Sequence, residues 1–369
     1  MGFQCGIVGL PNVGKSTLFN ALTATIAAEA ANYPFTTVEP NVGRIAVPDP
    51  RLDAINGITK SPRVVPTQID FVDIAGLVRG ASRGEGLGNK FLSHIREVEA
   101  VAHVVRCFED DNIAHVSGTV DPLADAEVVE TELMLADLES LERRAEALIK
   151  RARGTGEEAE EAKAMLALAE RAMGALRDGR AARTLDIAAA EAPLWRRMHL
   201  LSAKPVMYVC NVDEKSAATG NALSQAVGGR AAAEGAACVT ISAAIEAEIA
   251  ALGDRAERDE FLAELGLAET GLARVIHAGY ALLGLVTFFT SGPNETRAWT
   301  VPKGSRAVDA AATIHTDFAR GFIAAETIAY DEFIALGGEQ GARDAGRMRQ
   351  EGRDYVVQDG DVILFRFNV

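Results

Sequence analysis

Short strand-forming runs recur along the sequence and indicate a buried sheet. They occupy residues 5–8, 68–72, 101–107, 206–210 and 237–241, and a polar or glycine-rich segment follows each run within two residues. Apolar runs of this length are typical of strands whose two faces are both covered. Helix-forming segments such as residues 17–22 lie between them. We therefore predict an α/β fold built on a parallel sheet.

A helical pattern replaces the strands in the middle of the chain. From Asp125 to Arg153 apolar residues recur at steps of three, four or seven, and a second apolar stripe follows the break at Gly154-Thr155-Gly156. The first stripe comprises Val128, Leu135, Leu138, Leu141, Ala145 and Leu148, and the second comprises Met165, Leu166, Ala169, Met173 and Leu176. Two such helices would bury their stripes on each other. We predict an inserted, coiled-coil-like helical hairpin over residues 123–202, whose basic residues favour contact with RNA or protein over a role as a spacer.

The α/β domain that contains the predicted strands is then expected to comprise residues 1–122 and 203–282, and a last domain residues 283–369. In that last domain, β-prone runs at residues 286–290 and 297–301 precede a predicted helix from Arg306 to Phe318. Residues 355–357 and 362–365 indicate a closing hairpin around an Asp-Gly turn. We expect a small mixed sheet over one helix, and we expect His315, close to Asp317, to cap a helix.

Composition narrows the function classes. The chain of 369 residues has a formal net charge of −15, which argues against unspecific wrapping of nucleic acid but leaves a local basic patch open. No apolar run approaches the roughly 18 residues that a membrane span needs, and we expect no signal peptide. The four cysteines lack metal-ligand spacing. We interpret them as reduced, buried packing residues of a cytoplasmic protein.

The segment Gly9-Leu10-Pro11-Asn12-Val13-Gly14-Lys15-Ser16, followed by Thr17, has the pattern of a P-loop between a strand and a helix. Its glycines let main-chain N–H groups face a phosphate, and Lys15 would reach the terminal phosphates. The Ser16 hydroxyl is placed to bind Mg²⁺. We assign nucleotide binding to Asn12, Val13, Gly14, Lys15, Ser16 and Thr17, with a catalytic role for Lys15 as well.

Two later segments suit the switch loops of a nucleotide-driven protein. Residues 32–41 carry two prolines and no helical period, so we expect a loop. A threonine there would complete the Mg²⁺ shell only while the γ-phosphate is present, with Thr37 the first choice and Thr36 the second. Asp73 follows a strand and would hold Mg²⁺ through water, while the Gly76 N–H would meet the γ-phosphate.

Leu77 stands where many related GTPases have a glutamine that orients the attacking water. A leucine cannot orient water, so intrinsic turnover should be slow unless another group takes over. His115 follows the polar loop after residues 101–107, and a histidine there could swing toward the γ-phosphate as an orienter or acid/base. His94 is a second candidate. We assign His115 as catalytic. The alternative is that His115 is an ordinary loop residue with no catalytic role.

The base-reading segment differs from the guanine pattern. GTPases place Asn-Lys-x-Asp after this strand, whereas this sequence has Asn211-Val212-Asp213-Glu214. Glutamate is longer than aspartate, so Glu214 displaces the carboxylate that accepts hydrogen bonds from guanine. The loss of the guanine pattern alone does not prove that the base is adenine. Ser242 and Ala243 begin the loop whose backbone is expected to touch the base. We therefore assign base binding to Asn211, Val212, Glu214, Ser242 and Ala243.

Taken together, the motifs at residues 9–16, 73–77 and 211–214 resemble those of the YchF, or Obg-like ATPase, family within the translation-factor class of P-loop proteins. The resemblance covers nearly the whole chain, including residues 32–41, 106–110 and 365–369. It implies ATP binding with hydrolysis to ADP, a hydrophobic residue in place of the glutamine, and association with ribosomes in translation or stress regulation. The last domain resembles the TGS domain, a β-grasp module.

As partners we expect ATP and the ribosome or RNA, with no membrane association and no evident DNA specificity, and we expect a monomer that uses Mg²⁺. Asn12 adds the hypothesis that K⁺ binds near the phosphates, with a loop-stabilising side chain as the alternative. One alternative is a GTPase with relaxed base specificity. Another is a nucleotide-dependent RNA- or ribosome-binding module with negligible hydrolysis, and a small-molecule kinase suits the motifs least.

Overall fold

The described residues of this computed structural model, 3–30, 42–74, 87–252 and 254–368, form two sheets and the helices around them. Thr36, Thr37, Gly76 and Leu77 lie outside these residues. The strands are β1 (Gln4–Val8), β2 (Val42–Ala46), β3 (Arg63–Val65), β4 (Gln68–Asp73), β5 (Ala100–Arg106), β6 (Val206–Asn211), β7 (Ala237–Ile241), β8 (Leu285–Ser291), β9 (Glu295–Pro302), β10 (Phe322–Ile328), β11 (Arg349–Glu351) and β12 (Val362–Phe367).

The helices alternate with the strands in the first part of the chain. They are α1 (Lys15–Ala30), α2 (Pro50–Thr59), α3 (Leu87–Glu97), α4 (Pro122–Ala152), α5 (Glu157–Arg177), α6 (Ala192–Arg196), α7 (Ala222–Glu234), α8 (Ala243–Ala251), α9 (Arg255–Glu264), α10 (Gly271–Leu282), α11 (Ala307–Ile314), α12 (Thr316–Arg320), α13 (Tyr330–Ala335) and α14 (Glu339–Asp344). Short 3-10 turns occur at Ala182–Thr184 and Glu214–Ser216.

The chain divides into two compact units. The first comprises Phe3–Gly43 and Asp70–Val275, and the second comprises Arg44–Ile69 and Ile276–Val369. Residues 44–69 thus join the C-terminal part of the chain, which the sequence analysis did not foresee. The reason is long-range pairing, because β3 adds in parallel to β9. The three-domain division stays a prediction.

The first sheet has the strand order β2-β4-β1-β5-β6-β7. Cys238 lies on the edge strand β7 and is exposed, so the expectation that all four cysteines are buried was wrong there. β1 pairs in parallel with both β4 and β5, and β6 pairs in parallel with β5 and β7. All seven residues of β5 are buried, as expected for a strand in the middle of a covered sheet. Because the strands are parallel, the segments that follow β1, β4, β5, β6 and β7 gather at one edge.

The inserted hairpin forms as two helices, α4 and α5, and the predicted break falls between them, where Gly156 has φ 92°. Its core contains Leu141, Leu168 and Met173. Leu135, which the periodicity placed in the seam, is 38% exposed, so that part of the prediction was wrong. The apolar seam between the two helices does not include Leu135, because the first turns of α4 pack on the core around β5 and β6 instead, through Ala126.

The second sheet has the order β11-β10-β12-β8-β9-β3 and is mixed. The predicted closing hairpin is wrong, because β12 pairs with β10 and β8 and has no free edge for residues 355–357. Val356 makes only an isolated bridge to Arg306. The predicted single helix is broken at His315, whose Nδ1 accepts the Asp317 N–H at 3.1 Å and so caps α12, as expected.

Candidate nucleotide-binding site

A pocket of about 680 Å³ opens at the edge of the first sheet where the parallel strands end. Three P-loop residues, Asn12, Gly14 and Thr17, form one end of it. The other walls come from residues 108–110 with Ile113, residues 211–215 and residues 242–244. The structure therefore brings the P-loop and the two predicted base-binding segments together around one cavity.

Gly14 and Asn211 fit each other closely. Gly14 has φ 96°, and a Cβ placed on it would lie 2.2 Å from Asn211 Nδ2, so only glycine is accommodated. The Asn211 amide donates to the Val13 carbonyl at 3.0 Å and accepts the Ala243 N–H at 2.9 Å. Asn211 thereby ties the P-loop to the segment that follows β7.

Lys15 begins α1, and its side chain is buried at the P-loop end of the site. Its ammonium donates to the Leu10 carbonyl at 2.6 Å. Burial lowers the pKa of Lys15 to about 8, against the opposing attraction of Asp73. Burial also raises the pKa of Asp73, which the charge of Lys15 partly offsets. An anion at this place would restore the environment that a protonated lysine favours.

Ser16 and Asp73 supply the oxygen chemistry that Mg²⁺ prefers. Ser16 lies exposed on the first turn of α1, and Asp73 ends β4, the parallel neighbour of β1. Magnesium is bound in such sites by one or two protein oxygens together with phosphates and water. The donor set therefore fits the ion. Among the described residues, no group of three His, Cys, Asp or Glu side chains forms an independent metal site.

Some residues of the predicted base-binding segments stabilise the fold, and others line the pocket. Val212 has a side chain that is 2% exposed and packs in the core, so only its main chain can face a ligand. Asp213 accepts the Ser216 N–H at 3.1 Å and caps a 3-10 turn. Glu214 lines the pocket. Ser242 also lines it, and its hydroxyl is buried with no hydrogen-bond partner among the described residues.

Asn12 links the P-loop to the loop that carries His115. Asn12 has φ 62°, a conformation that asparagine tolerates, and its Nδ2 donates to the Ala114 carbonyl at 3.1 Å. This bond agrees with the alternative to K⁺ binding, in which the Asn12 side chain stabilises a loop. The K⁺ hypothesis stays a prediction.

His115 is held by its neighbours. Its Nε2 lies 2.9 Å from Asp125 Oδ2, and its Nδ1 accepts the Ser117 N–H at 3.2 Å. The neutral ring therefore carries its proton on Nε2, facing Asp125. Burial raises the pKa of Asp125, while the contact with His115 lowers it. Any swing of His115 toward a phosphate would have to break these bonds, and its catalytic role stays a prediction.

Arg106 is a residue that sequence reasoning missed. It ends β5, is 1% exposed, and its guanidinium donates to main-chain carbonyls of the pocket wall. A signal existed, because an arginine at the end of an otherwise apolar strand is a buried charge that must have partners.

Comparisons with known proteins agree with this geometry. The family model MMR_HSR1, described as a 50S ribosome-binding GTPase, matches residues 4–169, and YchF-GTPase_C, described as a protein of unknown function, matches residues 285–368. The curated protein "Ribosome-binding ATPase YchF" of Escherichia coli O157:H7 is 56% identical over 369 residues, covering 100% of both chains. The chain belongs to the YchF family. The protein of the same name from Bacillus subtilis (strain 168) is 50% identical over 372 residues, again with 100% of both chains covered.

A solved YchF structure shows the same fold. The "Structure of the Schizosaccharomyces pombe YchF GTPase" has a TM-score of 0.89 and 36% identity, and the match covers 99% of this chain and 98% of that one. The predicted family and the α/β fold with a P-loop GTPase domain are confirmed. The TGS assignment of the last domain stays a prediction.

Proposed function

We propose that this chain is an Mg²⁺-dependent ATPase that associates with ribosomes and acts as a nucleotide-controlled conformational switch. The observation that carries the proposal is the buried Lys15 of the P-loop, whose ammonium donates to a main-chain carbonyl. The residue before it, Gly14, lines the pocket of about 680 Å³. The names of the YchF relatives, which are called ribosome-binding ATPases, support the choice of reaction and partner.

The P-loop would carry the phosphates. The main-chain N–H groups at Val13, Gly14 and Ser16 would cradle them, and Lys15 would exchange its bond to Leu10 for the terminal phosphates. Lys15 is then a catalytic residue, because it stabilises the charge that develops on the transferred phosphoryl group. Thr17, on the pocket wall, would face the nucleotide from the first turn of α1.

Ser16, Thr37 and Asp73 are the residues that would hold Mg²⁺, with Asp73 acting through water. When bound, the ion would neutralise negative charge on the β- and γ-phosphates. Thr37 and Gly76 lie outside the described residues, so their roles rest on the sequence pattern alone. In that pattern the Gly76 N–H senses the γ-phosphate and Thr37 makes ion binding depend on it.

Adenine is the base that we favour. Glu214 faces the pocket where a guanine-reading aspartate would stand, and the Val212 side chain is buried in the core. Asn211 holds Ala243 in place, so the Ser242–Ala243 main chain is fixed beside the base. Because a glutamate is one methylene longer than an aspartate, the Glu214 carboxylate would be displaced from the place where an aspartate accepts from the guanine ring N–H and amino group.

Hydrolysis is expected to be slow. Leu77 cannot orient water, and His115, which we propose as the group that takes over, is bonded to Asp125 in this structure. A partner that releases His115 would accelerate turnover. We propose the ribosome as that partner. We also propose that the chain acts as a monomer in the cytoplasm. No helix in the described part of the chain is long and apolar enough to cross a membrane.

Two measurements test the proposal. The first is turnover of ATP and GTP by the wild-type chain and by Lys15→Ala, in K⁺ and in Na⁺, with and without ribosomes. We expect ATP to be preferred, Lys15→Ala to be inactive, and ribosomes to increase the rate. The second is co-sedimentation with ribosomes, in which a non-hydrolysable ATP analogue and ADP should give different bound fractions. Equal bound fractions would contradict a switch.

The second candidate is a GTPase with relaxed base specificity. The name of the solved relative, which is called a GTPase, supports it. Comparable rates with ATP and GTP would favour this candidate. Tight nucleotide binding without turnover, even on ribosomes, would instead favour a non-hydrolysing binding module.

A further inference from the structure

Arg106 is a buried cation whose hydrogen bonds go to the main chain of one pocket wall. Nε donates to the Phe108 carbonyl at 3.0 Å, Nη1 to the Ile113 carbonyl at 2.9 Å and Nη2 to the Asp110 carbonyl at 3.2 Å. The guanidinium carbon also lies 4.7 Å from the centre of the Phe108 ring. The chain from residue 108 to residue 113 is therefore folded around this one side chain.

Four of these six residues form one wall of the pocket. Phe108, Glu109, Asp110 and Ile113 all line the cavity. The segment turns back on itself, because the Ile113 N–H donates to the Asp110 carbonyl and the Asp110 carboxylate accepts the Asn112 N–H at 2.8 Å. Its shape is thus set locally by the turn and from inside by Arg106.

Both ends of the segment are fixed to the nucleotide-binding core. Asn221 donates to the Cys107 carbonyl at 2.7 Å before it, and Asn12 donates to the Ala114 carbonyl after it. These two bonds fix where the segment starts and ends. Between them, Arg106 fixes how far the wall projects into the cavity.

The position in the cavity decides which part of a nucleotide the wall would meet. Phosphates lie on the main-chain N–H groups of the P-loop, beside Gly14 and Lys15. The cavity extends from there to residues 211–215, 242–244 and 108–113. A nucleotide that fills it has its base and ribose, and not its terminal phosphates, against the wall that Arg106 shapes.

We propose that Arg106 is a positioning residue for the base and ribose half of the nucleotide. It acts by holding residues 108–113 as a pocket wall and does not touch the ligand itself. Arginine suits this task because its planar fork presents donors in several fixed directions, whereas a lysine ammonium is a point charge on a flexible stem. The inference rests on the proposed function in one respect, namely that the ligand is a nucleotide.

The test compares ADP with inorganic pyrophosphate, which keeps the phosphates and removes the base and ribose. Calorimetry with Mg²⁺ would measure both affinities for the wild-type chain, Arg106→Lys and Arg106→Gln. Arg144→Lys and Arg144→Gln are matched controls, because Arg144 also donates to a main-chain carbonyl, that of Met198 at 2.7 Å, within the helical hairpin. Thermal unfolding checks that each variant is folded.

We expect Arg106→Lys to weaken ADP binding about tenfold and Arg106→Gln to weaken it more, while pyrophosphate affinity stays within twofold. The Arg144 variants should bind both ligands as the wild-type chain does. Hydrogen exchange on the wild-type chain gives a measurement that needs no variant. ADP should slow exchange of the amides in residues 108–113, and pyrophosphate should not.

Unchanged ADP affinity in Arg106→Lys would overturn the inference, as would equal losses for ADP and pyrophosphate, since the latter means that Arg106 supports the fold as a whole. Exchange that ADP leaves unaltered would also overturn it. Failure of the wild-type chain to bind ADP is a distinct result, because it would contradict the proposed function directly.

Discussion

Each unit of the molecule contains a pocket, and the polar groups at the two pockets differ in their hydrogen-bond and ion-pair partners. In the first unit the pocket of about 680 Å³ is lined by Gly14, and the next residue, Lys15, has a buried ammonium bonded to a carbonyl. In the second unit a pocket of about 290 Å³ has apolar walls that include Phe333 and Met348. Its polar groups bond to one another: Thr59 and Ser291 share a hydrogen bond of 2.6 Å.

The two charged groups in the second pocket are paired as well. Glu339 accepts from Arg343 at 2.7 Å. Glu326 accepts from Arg366 at 3.0 Å and lies 3.7 Å from Arg343. In the first unit, by contrast, burial lowers the pKa of Lys15, so the folded chain holds a cation in a place that disfavours it. The difference teaches that volume alone does not identify a ligand site. A buried charge whose environment disfavours it indicates an anionic occupant, whereas paired groups indicate a gap in packing.

Substitution of Lys15, the buried cation of the first unit, should have the largest effect on the difference between the two pockets. Lys15→Ala is expected to weaken ADP binding at least about 100-fold, because it removes a charge-assisted contact from a site that excludes water. The nucleotide-free variant should be no less stable than the wild-type chain, since a poorly solvated ammonium is lost. Calorimetry and thermal unfolding measure the two effects. Lys163→Ala, which removes an exposed lysine on α5, is the control, and equal ADP affinities in the two variants would contradict the account.

Cutting the tie between the P-loop and the base-binding segment should have the next largest effect. Asn211→Ala removes two hydrogen bonds, each worth about 1 kcal/mol, and should weaken ADP binding roughly 10- to 100-fold by calorimetry. Asn56→Ala is the matched control, because Asn56 accepts the Ser61 N–H at 3.0 Å in the second unit. An Asn211→Ala variant with wild-type affinity would show that the tie is not needed for binding.

The protonation of Lys15 predicts a pH dependence. Its pKa is lowered to about 8 in the nucleotide-free fold, from 10.5. Between these values the unfolded chain binds the proton and the folded chain does not, so stability gains from rising pH in this window. A bound phosphate favours the charged form, so ADP affinity should fall about tenfold from pH 7 to pH 9. Calorimetry in buffers of different ionisation enthalpy would detect the proton uptake, and constant affinity would contradict the prediction.

The second pocket should show the smallest effect on nucleotide binding. Thr59→Val removes the hydroxyl that bonds to Ser291 and to the Ile55 carbonyl. We expect the free energy of unfolding to fall by about 1 kcal/mol, with ADP affinity within twofold of wild type. Denaturant titration and calorimetry measure these quantities. A tenfold loss of ADP affinity would mean that the second pocket is not merely a packing gap.

Sequence reasoning succeeded where structure is local. The P-loop conformation follows from glycines at fixed places, and its gathering with Asp73 and Asn211 follows from parallel strands that end at one edge. It failed where pairing is non-local. Nothing near β3 indicates its partner β9, and the Asp-Gly turn before β12 gave no sign that both edges of that strand were occupied.

The hydrogen-bond partners of side chains were also not predicted from the sequence. The bonds of Arg106 and of Asn12 to loop carbonyls depend on how a segment folds back, which periodicity does not describe. Leu135 matched the helical stripe, yet α4 turns that face to solvent because its beginning packs on the sheet core. The candidate site was thus predicted as a set of residues, but not as a network.

The central claim is that the pocket of the first unit binds an adenine nucleotide. The most direct test is calorimetric affinity of the wild-type chain for ADP and GDP, and for non-hydrolysable analogues of ATP and GTP, at fixed Mg²⁺ and K⁺. The account predicts that adenine is favoured at least tenfold, about 1.4 kcal/mol. A preference for guanine would contradict it and would assign the pocket to a GTPase.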